Sequence, residues 1–299
     1  MPLYRAYGLT IDSELELPEL RPAPHGASDT PDLTVRRDAV PAGELPTGQQ
    51  ITPYLWADSQ SVRLSIPGVA HFFISGGDTI TVDPAPGVDA DSVRLFLLGS
   101  ALGSALFQRG YLVLHGNAVQ VGERCMCCLG VSGAGKSTLA AGFWRRGHAV
   151  LADDVVAVDA QCRALPAFPR IKLWQDSADQ LNVDTAKLRR IRPIEAKFNL
   201  PIPAPADTAL PIRWVYILDS HEGPDLRLEH VSGLAKFAPL HDNTYGVRIV
   251  EGMSLRSEHL RLCGQLAGRI RLVKVTRPRQ GFRLNDLIDA LLADMAQNP

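Results

Sequence analysis

Residues 130–137 read Gly-Val-Ser-Gly-Ala-Gly-Lys-Ser. They match G-x-x-x-x-G-K-[ST], a loop between strand and helix that wraps phosphate. At background composition its four fixed positions arise by chance in roughly one chain of this length in a hundred. Gly130, Gly133 and Gly135 let the backbone turn tightly, so that successive N–H groups point at phosphate oxygens. Ser132, Ala134 and Thr138 complete the nucleotide-binding set. Lys136 can reach the β- and γ-phosphates, and the Ser137 hydroxyl can ligate Mg²⁺. The helix that begins here adds its positive N-terminal dipole. The flanks suit the motif: 125–129 (CMCCL) is an apolar run of strand type, and 138–146 (TLAAGFWRR) reads as a helix. ATP and Mg²⁺ are the cofactors this loop implies.

Around that motif, 299 residues leave room for one large domain or two ordinary ones. The chain is 45% hydrophobic and 21% charged, as soluble globular proteins are. A net charge of −1 gives no electrostatic case for nucleic acid or an anionic membrane as main partner. The first twenty residues, MPLYRAYGLTIDSELELPEL, show no cationic stretch followed by an apolar one, so a cytoplasmic location is expected. The longest apolar run, 95–107, is read as a buried helix too short to span a bilayer. The five cysteines include no second Cys/His pair of zinc spacing. They read as small core residues in a reducing compartment, with Cys125 and Cys127 on one strand face and Cys128 on the other.

The expected fold class is α/β: a P-loop catalytic domain over 89–299, preceded by a smaller β-rich domain over 1–88 that serves scaffolding or recognition. Strands are expected near 10–17, 32–35, 61–66, 70–75 and 79–82, with turn signals at Pro67-Gly68 and Gly76-Gly77-Asp78. Segments 21–31 and 41–50 are Pro/Gly-rich and read as loops. Residues 89–109 read as one helix, capped by Asp89 or Asp91 and stopped by Gly110. Two short strands, 111–114 and 118–121, are expected on either side of His115-Gly116-Asn117. Strand 149–152 should follow the P-loop helix as its parallel partner. Beyond it come a Pro-rich loop, an amphipathic stretch over 176–190, and a strand at 215–218 with which 226–231 could pair. Helices are expected at 254–266 and 284–295, and a last strand at 270–275.

A triphosphate on such a loop needs a carboxylate nearby. In a parallel crossover, strand 149–152 ends on the same edge of the sheet as the loop and delivers Asp153 and Asp154 there. One acid can hold Mg²⁺ while the other accepts a proton from an attacking hydroxyl. Asp219, which also ends an apolar strand, is the rival for the metal. His115 sits on a strand feeding the same sheet and is a candidate site residue. Arg170, Lys172, Lys197 and Arg248 are candidates for contact with transferring phosphate or acceptor. The polar stretch 243–248 could contact either ligand.

Leu114-His115-Gly116, the loop GVSGAGKST, Arg146-Gly147-His148 and Leu151-Ala152-Asp153-Asp154 occur in an order and at separations that resemble HPr kinase/phosphorylase-like serine kinases. The resemblance is specific over about 112–158. It implies that Lys136 and Ser137 serve ATP and Mg²⁺, that Asp153 is the general base toward a substrate serine, that Asp154 is a metal-side carboxylate, and that His115 assists beside Asp153. The family's E-x-R-G segment has no glutamate here, where the chain reads AFPRIKLW from 167, with Arg170 at the arginine; phosphorylase activity is therefore not implied. The layout is closer to stand-alone relatives found with ribosomal-peptide gene sets, among them kinases of lasso-peptide precursors.

The sequence thus points to an ATP- and Mg²⁺-dependent serine kinase whose partner is a peptide or small protein carrying a serine, with homo-oligomerisation left open. Two rivals stand beside it. One is a small-molecule kinase or P-loop NTPase; the other is a non-catalytic, nucleotide-gated binding module.

Overall fold

A computed structural model describes residues 2–24, 30–40, 48–279 and 283–299. The described residues among the first ninety largely alternate buried and exposed positions, as at 61–66 and 70–75, and turn at glycines held in the left-handed region, Gly68, Gly76 and Gly77. They form nine strands: β1 Leu3–Ala6, β2 Leu9–Ser13, β3 Arg21–Pro22, β4 Leu33–Arg37, β5 Gln49–Thr52, β6 Leu55–Ala57, β7 Ser61–Ile66, β8 Ala70–Ser75 and β9 Thr79–Pro84. They join one sheet in the order β3-β1-β2-β4-β9-β8-β7-β6-β5. The segments expected as loops, 21–31 and 41–50, lie partly outside the described residues. Their described parts include β3 and the start of β5, so strand pairing reaches into both.

Asp89 caps the next helix, its carboxylate accepting from the Ser92 amide at 2.7 Å, and Gly110 ends it at φ +79°. This helix, Ala90–Gln108, passes through a π-helical stretch at Leu97–Ala101. It fills the span 89–109 expected for one helix; at 19 residues it is apolar enough to cross a membrane by length and composition, yet 72% of its most apolar window is buried inside the protein. Leu97, Leu102 and Leu106 pack between the first sheet, at Phe72 and Ile80, and a second sheet, at Leu112, Leu114 and Val156. One continuous core therefore joins the β-rich part to the rest.

The second sheet is built on β10 Leu112–Val121, β11 Arg124–Leu129, β12 Val150–Val158, β13 Arg163–Ala164, β14 Arg170–Trp174, β15 Lys197–Pro201, β16 Leu210–His221, β17 Arg227–Val231 and β18 Arg271–Pro278, of which β14 and β15 pair apart as a separate ribbon. β11 lies between β10, antiparallel, and β16, parallel. β12 lies beyond β10, and β18 beyond β16. Its second face carries another core, with Leu139 and Phe143 of the Lys136–Arg145 helix and Leu287 and Leu291 of the Leu284–Gln297 helix over Met126, Cys128 and Tyr216. Cys125 and Cys127 belong to the first core and Cys128 to the second, as strand alternation requires, and all five cysteines are buried and free.

Several sequence expectations need correction here. Residues 112–121 are one strand rather than two, because β10 is hydrogen-bonded along both edges and carries His115-Gly116-Asn117 within it. β12 runs past Asp153 and Asp154 to Val158. It is parallel to β11 in direction but not its neighbour, since β10 intervenes. β17 pairs with β18 and not with the strand at 215–218. Arg170 and Lys172 lie in a paired strand, not in a loop.

The row Leu129–Gly116–Asp154 crosses three strands. A Cβ on Gly116 would stand 2.4 Å from the Cys128 carbonyl oxygen. Replacing Gly116 by Ala is expected to cost about 2 kcal/mol or more by overpacking. Urea unfolding measures this, and wild-type stability in G116A would show that the strand spacing adjusts freely.

Candidate active site

The β11 strand ends at Leu129, and the chain turns through the glycine loop into the Lys136–Arg145 helix. Gly130 takes φ +143°, Gly133 +83° and Gly135 +100°, which L side chains rarely adopt. Gly130 is also pinned by space, since a Cβ there would meet the Leu218 carbonyl oxygen of β16 at 2.6 Å. The Lys136 ammonium donates to the carbonyls of Gly130 at 2.7 Å and Val131 at 3.0 Å, bracing the loop from within. Burial lowers its pKa, with Asp154 and Asp153 opposing. Behind the loop, the buried Asn117 amide of β10 donates to the Lys136 carbonyl at 2.6 Å, while its Oδ1 has no partner.

Strands are spaced about 4.8 Å apart, so Asp154, two strands from Leu129, stands about 10 Å from the start of the loop. Successive strand residues ordinarily face opposite ways. Here Asp154 adopts φ +81°, a strained value for a non-glycine residue. Both carboxylates then reach Lys172 of β14. The Lys172 amide donates to Asp153 Oδ2 at 2.8 Å, and its Nζ donates to Asp154 Oδ2 at 2.7 Å. Asp153 Oδ1 accepts from the Ser137 hydroxyl at 2.9 Å. This pairs the hydroxyl expected to ligate Mg²⁺ with Asp153, where the resemblance had set Asp154 on the metal side.

The two acids sit in opposite electrostatic settings. Burial raises the pKa of Asp153, with the Lys172 amide opposing and the Asp154 charge adding to the rise. Burial, the largest single influence, would raise Asp154 too, but the charge and hydrogen bond of the Lys172 ammonium, with His115 and Lys197, together outweigh it and hold the carboxyl well below the usual range. His115 lies beside Asp154, with Nδ1 at 3.2 Å from the Asp154 carbonyl oxygen and 3.6 Å from Oδ1. Burial, then the Lys136 charge, lower its pKa, which favours the neutral imidazole at neutral pH.

A cleft of 100 Å³ opens over this group. His115, Ser132, Gly133, Gly135, Lys136, Ser137, Thr138, Asp154, Lys172 and Lys197 all line it, so the structure gathers most of the expected residues. The Lys197 ammonium sits 5.3 Å from the centre of the half-exposed Trp174 ring, a cation–π pair at the rim. Trp174 and Ser177 line the cleft as well, and sequence reasoning passed over both. The Ser177 hydroxyl is 2.9 Å from that of Thr138. Nothing in the pattern of residues 174–177 marks them, because the β14–β15 ribbon that carries them to the loop is a long-range pairing. Asn117 could have been noticed, as a polar residue inside an otherwise apolar strand.

Three expected residues stand elsewhere. The Arg170 guanidinium is buried over the Phe168 ring, donates to Asn199 Oδ1 at 3.0 Å, and lines a different cavity with Glu19. Arg248 is exposed on the Val247–Gly252 helix and does not line the cleft. Asp219 lies inside β16, its carboxylate 54% exposed and 3.6 Å from Lys274 Nζ, and it does not line the cleft. The stretch at 243–248 reaches the site indirectly. The His115 amide donates to the Asn243 carbonyl at 2.7 Å, and the Tyr245 ring packs 5.9 Å from the imidazole.

No family model matches the sequence, and no curated protein matches it. Among solved structures, the chain is similar to the Hpr(Ser) kinase/phosphatase from Coxiella burnetii, at 15% identity and a TM-score of 0.31, over 62% of this chain and 90% of that one. A superposition this loose carries no weight for the site, whose reading rests on the residues themselves.

Lys172 can be tested by the pH dependence of stability. In the wild type the depressed Asp154 pKa contributes stability above the unfolded value and loses it only as pH falls through the lower folded value. In Lys172→Met the buried carboxylates are left without their cation, and a loss of about 3–5 kcal/mol is expected at pH 7. Their raised pKa values reverse the trend, so the variant should recover toward the wild type between pH 7 and 4. A deficit independent of pH, in denaturation followed at both pH values, would refute the pairing.

Proposed function

We propose that this protein is a phosphotransferase, an ATP- and Mg²⁺-dependent kinase that moves the γ-phosphoryl group to a serine hydroxyl of a peptide or small protein. The observation that supports it most is the convergence of the glycine loop, Asp154 and His115 on one cleft, with Asp153, in an unlike electrostatic setting, hydrogen-bonded to Ser137 behind its wall. The Ser137 hydroxyl and the Asp154 carboxylate, which both line the cleft, are oxygen donors of the kind Mg²⁺ takes, and would hold it. When bound, the metal supplies charge neutralisation for the transferring phosphoryl group.

The residues of the chain then divide the work. The loop amides and Lys136 bind and orient the triphosphate. Asp153, whose buried position raises its proton affinity, accepts the proton as the serine Oγ–P bond forms and the bond from the γ-phosphorus to the β,γ-bridging oxygen breaks, leaving ADP. Asp154, kept ionised by Lys172, adds fixed negative charge on the metal side without competing for the proton. Neutral His115 steadies Asp154. Trp174 and Lys197 at the rim are placed to meet the acceptor. The resemblance of residues 112–158 to HPr kinase-like enzymes, and of the layout to lasso-peptide precursor kinases, supports a peptide acceptor and a ribosomally made precursor as its first candidate.

Two substitutions test this. Lys136→Ala should abolish phosphate gain on acceptor peptides incubated with Mg²⁺-ATP, read by intact-mass spectrometry. Steady ATP consumption without any phosphopeptide in the wild type would instead favour a small-molecule kinase or NTPase, and ATP binding without turnover a nucleotide-gated module. Asp153→Asn should lower kcat by about 10²–10⁴, the usual contribution of a general base, while ATP still binds. Undiminished transfer in D153N would remove Asp153 from the proton step.

A further inference from the structure

The cleft at His115 is one flank of the phosphate loop. On the other flank lies a larger cavity of 370 Å³. Gly133, Gly135, Thr138 and Ser177 line both. A triphosphate laid along the loop has two ends, and transfer requires its γ end among Asp153, Asp154 and Lys136. Its nucleoside then leaves past Thr138, the residue after Ser137 in the first helical turn, toward the larger cavity.

The walls there suit a flat aromatic group. Leu218 and Leu284 supply apolar surface, and Arg277 and Arg279 supply cations. The Arg277 guanidinium is held against the loop. Its Nη2 donates to the Ala134 carbonyl at 3.1 Å and stands 3.4 Å from where a Cβ on Gly135 would be, and its Nη1 donates to the Pro278 carbonyl at 3.1 Å. A planar cation opposite aliphatic side chains holds a base by cation–π attraction on one face and packing on the other. Among the described residues, no Asp or Glu lines the cavity. A side-chain carboxylate is what would select guanine through its N1–H and exocyclic amine. Gln180, at the margin, carries both a donor and an acceptor on one amide and can turn to suit either purine.

We propose that this cavity seats the nucleoside of the triphosphate, with Arg277 against the base, and that it reads the face of a purine rather than its edge, so that ATP and GTP bind alike. The proposal rests on the phosphotransferase reading and is tested by calorimetric titration of the full chain with Mg²⁺ complexes of ATP, GTP and inorganic tripolyphosphate. In the wild type, ATP and GTP should bind within about threefold of each other and roughly tenfold more tightly than tripolyphosphate, the range that one desolvated cation–π contact and its packing supply. Arg277→Ala should weaken both nucleotides about tenfold and leave tripolyphosphate unchanged; Arg277→Lys, which keeps the charge without the plane, should weaken them nearly as much. Equal weakening of tripolyphosphate in R277A would make Arg277 a strut of the loop and overturn the seat. So would wild-type affinities no better for nucleotides than for tripolyphosphate, or a preference of more than about thirtyfold for one purine, a ratio that edge hydrogen bonds can produce. Failure of the wild type to bind any of the three would be a different failure, that of the phosphate-loop reading beneath it.

Discussion

Two carboxylates in consecutive positions, one buried and one half-buried, cannot both stay ionised unless something positive is built in with them. Lys172 is that element. Its backbone amide bonds Asp153 and its ammonium bonds Asp154, so one residue of β14 satisfies both acids through different groups. A buried carboxylate whose partners are an N–H and a hydroxyl, and a carboxylate bonded to a full cation, shift in opposite directions. The unlike settings of the two acids therefore rest in large part on one lysine, beside a strained backbone at Asp154.

That arrangement needs a frame that places β14 above the end of β12. The β14–β15 ribbon supplies it, and its own apolar side chains, Ile171, Leu173 and Leu200, continue the core over which the Lys136–Arg145 helix lies. Sheet register does the rest. β11 stops at Leu129, whereas β10 and β12 extend beyond that level, to Leu112 and Val158, so the loop begins level with Asp154 across a glycine that permits close packing. The nine-stranded first sheet lies across the Ala90–Gln108 helix from this edge and is joined to it by one apolar core. The site is thus braced from beneath, through Tyr245 and the segment that extends β10 at His115.

Much of the site was legible in the sequence because its signals are local. The glycine loop, the strand before it and the helix after it occupy one continuous stretch, and their dihedral demands are written in the glycines themselves. The acid pair was legible by its distance from the loop, although the route was misread. The parallel-crossover rule puts β12 next to β11, whereas antiparallel β10 takes that place. Strand ends were misplaced for a related reason. A polar His-Gly-Asn or Asp-Asp inside an apolar run looks like a boundary, yet pairing on both edges carries β10 through, and β12 stays paired with β10 past its acids. Arg170 and Lys172 looked alike in a Pro-flanked segment, but only one reaches the acids, the other being taken by Asn199 and Phe168.

By itself the sequence determined the glycine loop between strand and helix, the residues that cap and stop the helix at 90–108, the split of the cysteines between strand faces and the β-rich character of the first ninety residues. These depend on period, spacing and backbone freedom within a few positions of each other. Tertiary structure alone decided which acid meets Ser137, which lysine holds the pair, that Trp174 and Ser177 border the cleft, and that Arg277 reaches the loop from a strand more than a hundred residues away. Those are contacts between chain segments brought together only by sheet register and by burial of a common core. No local pattern encodes them, because the free energy that selects them belongs to the packed whole.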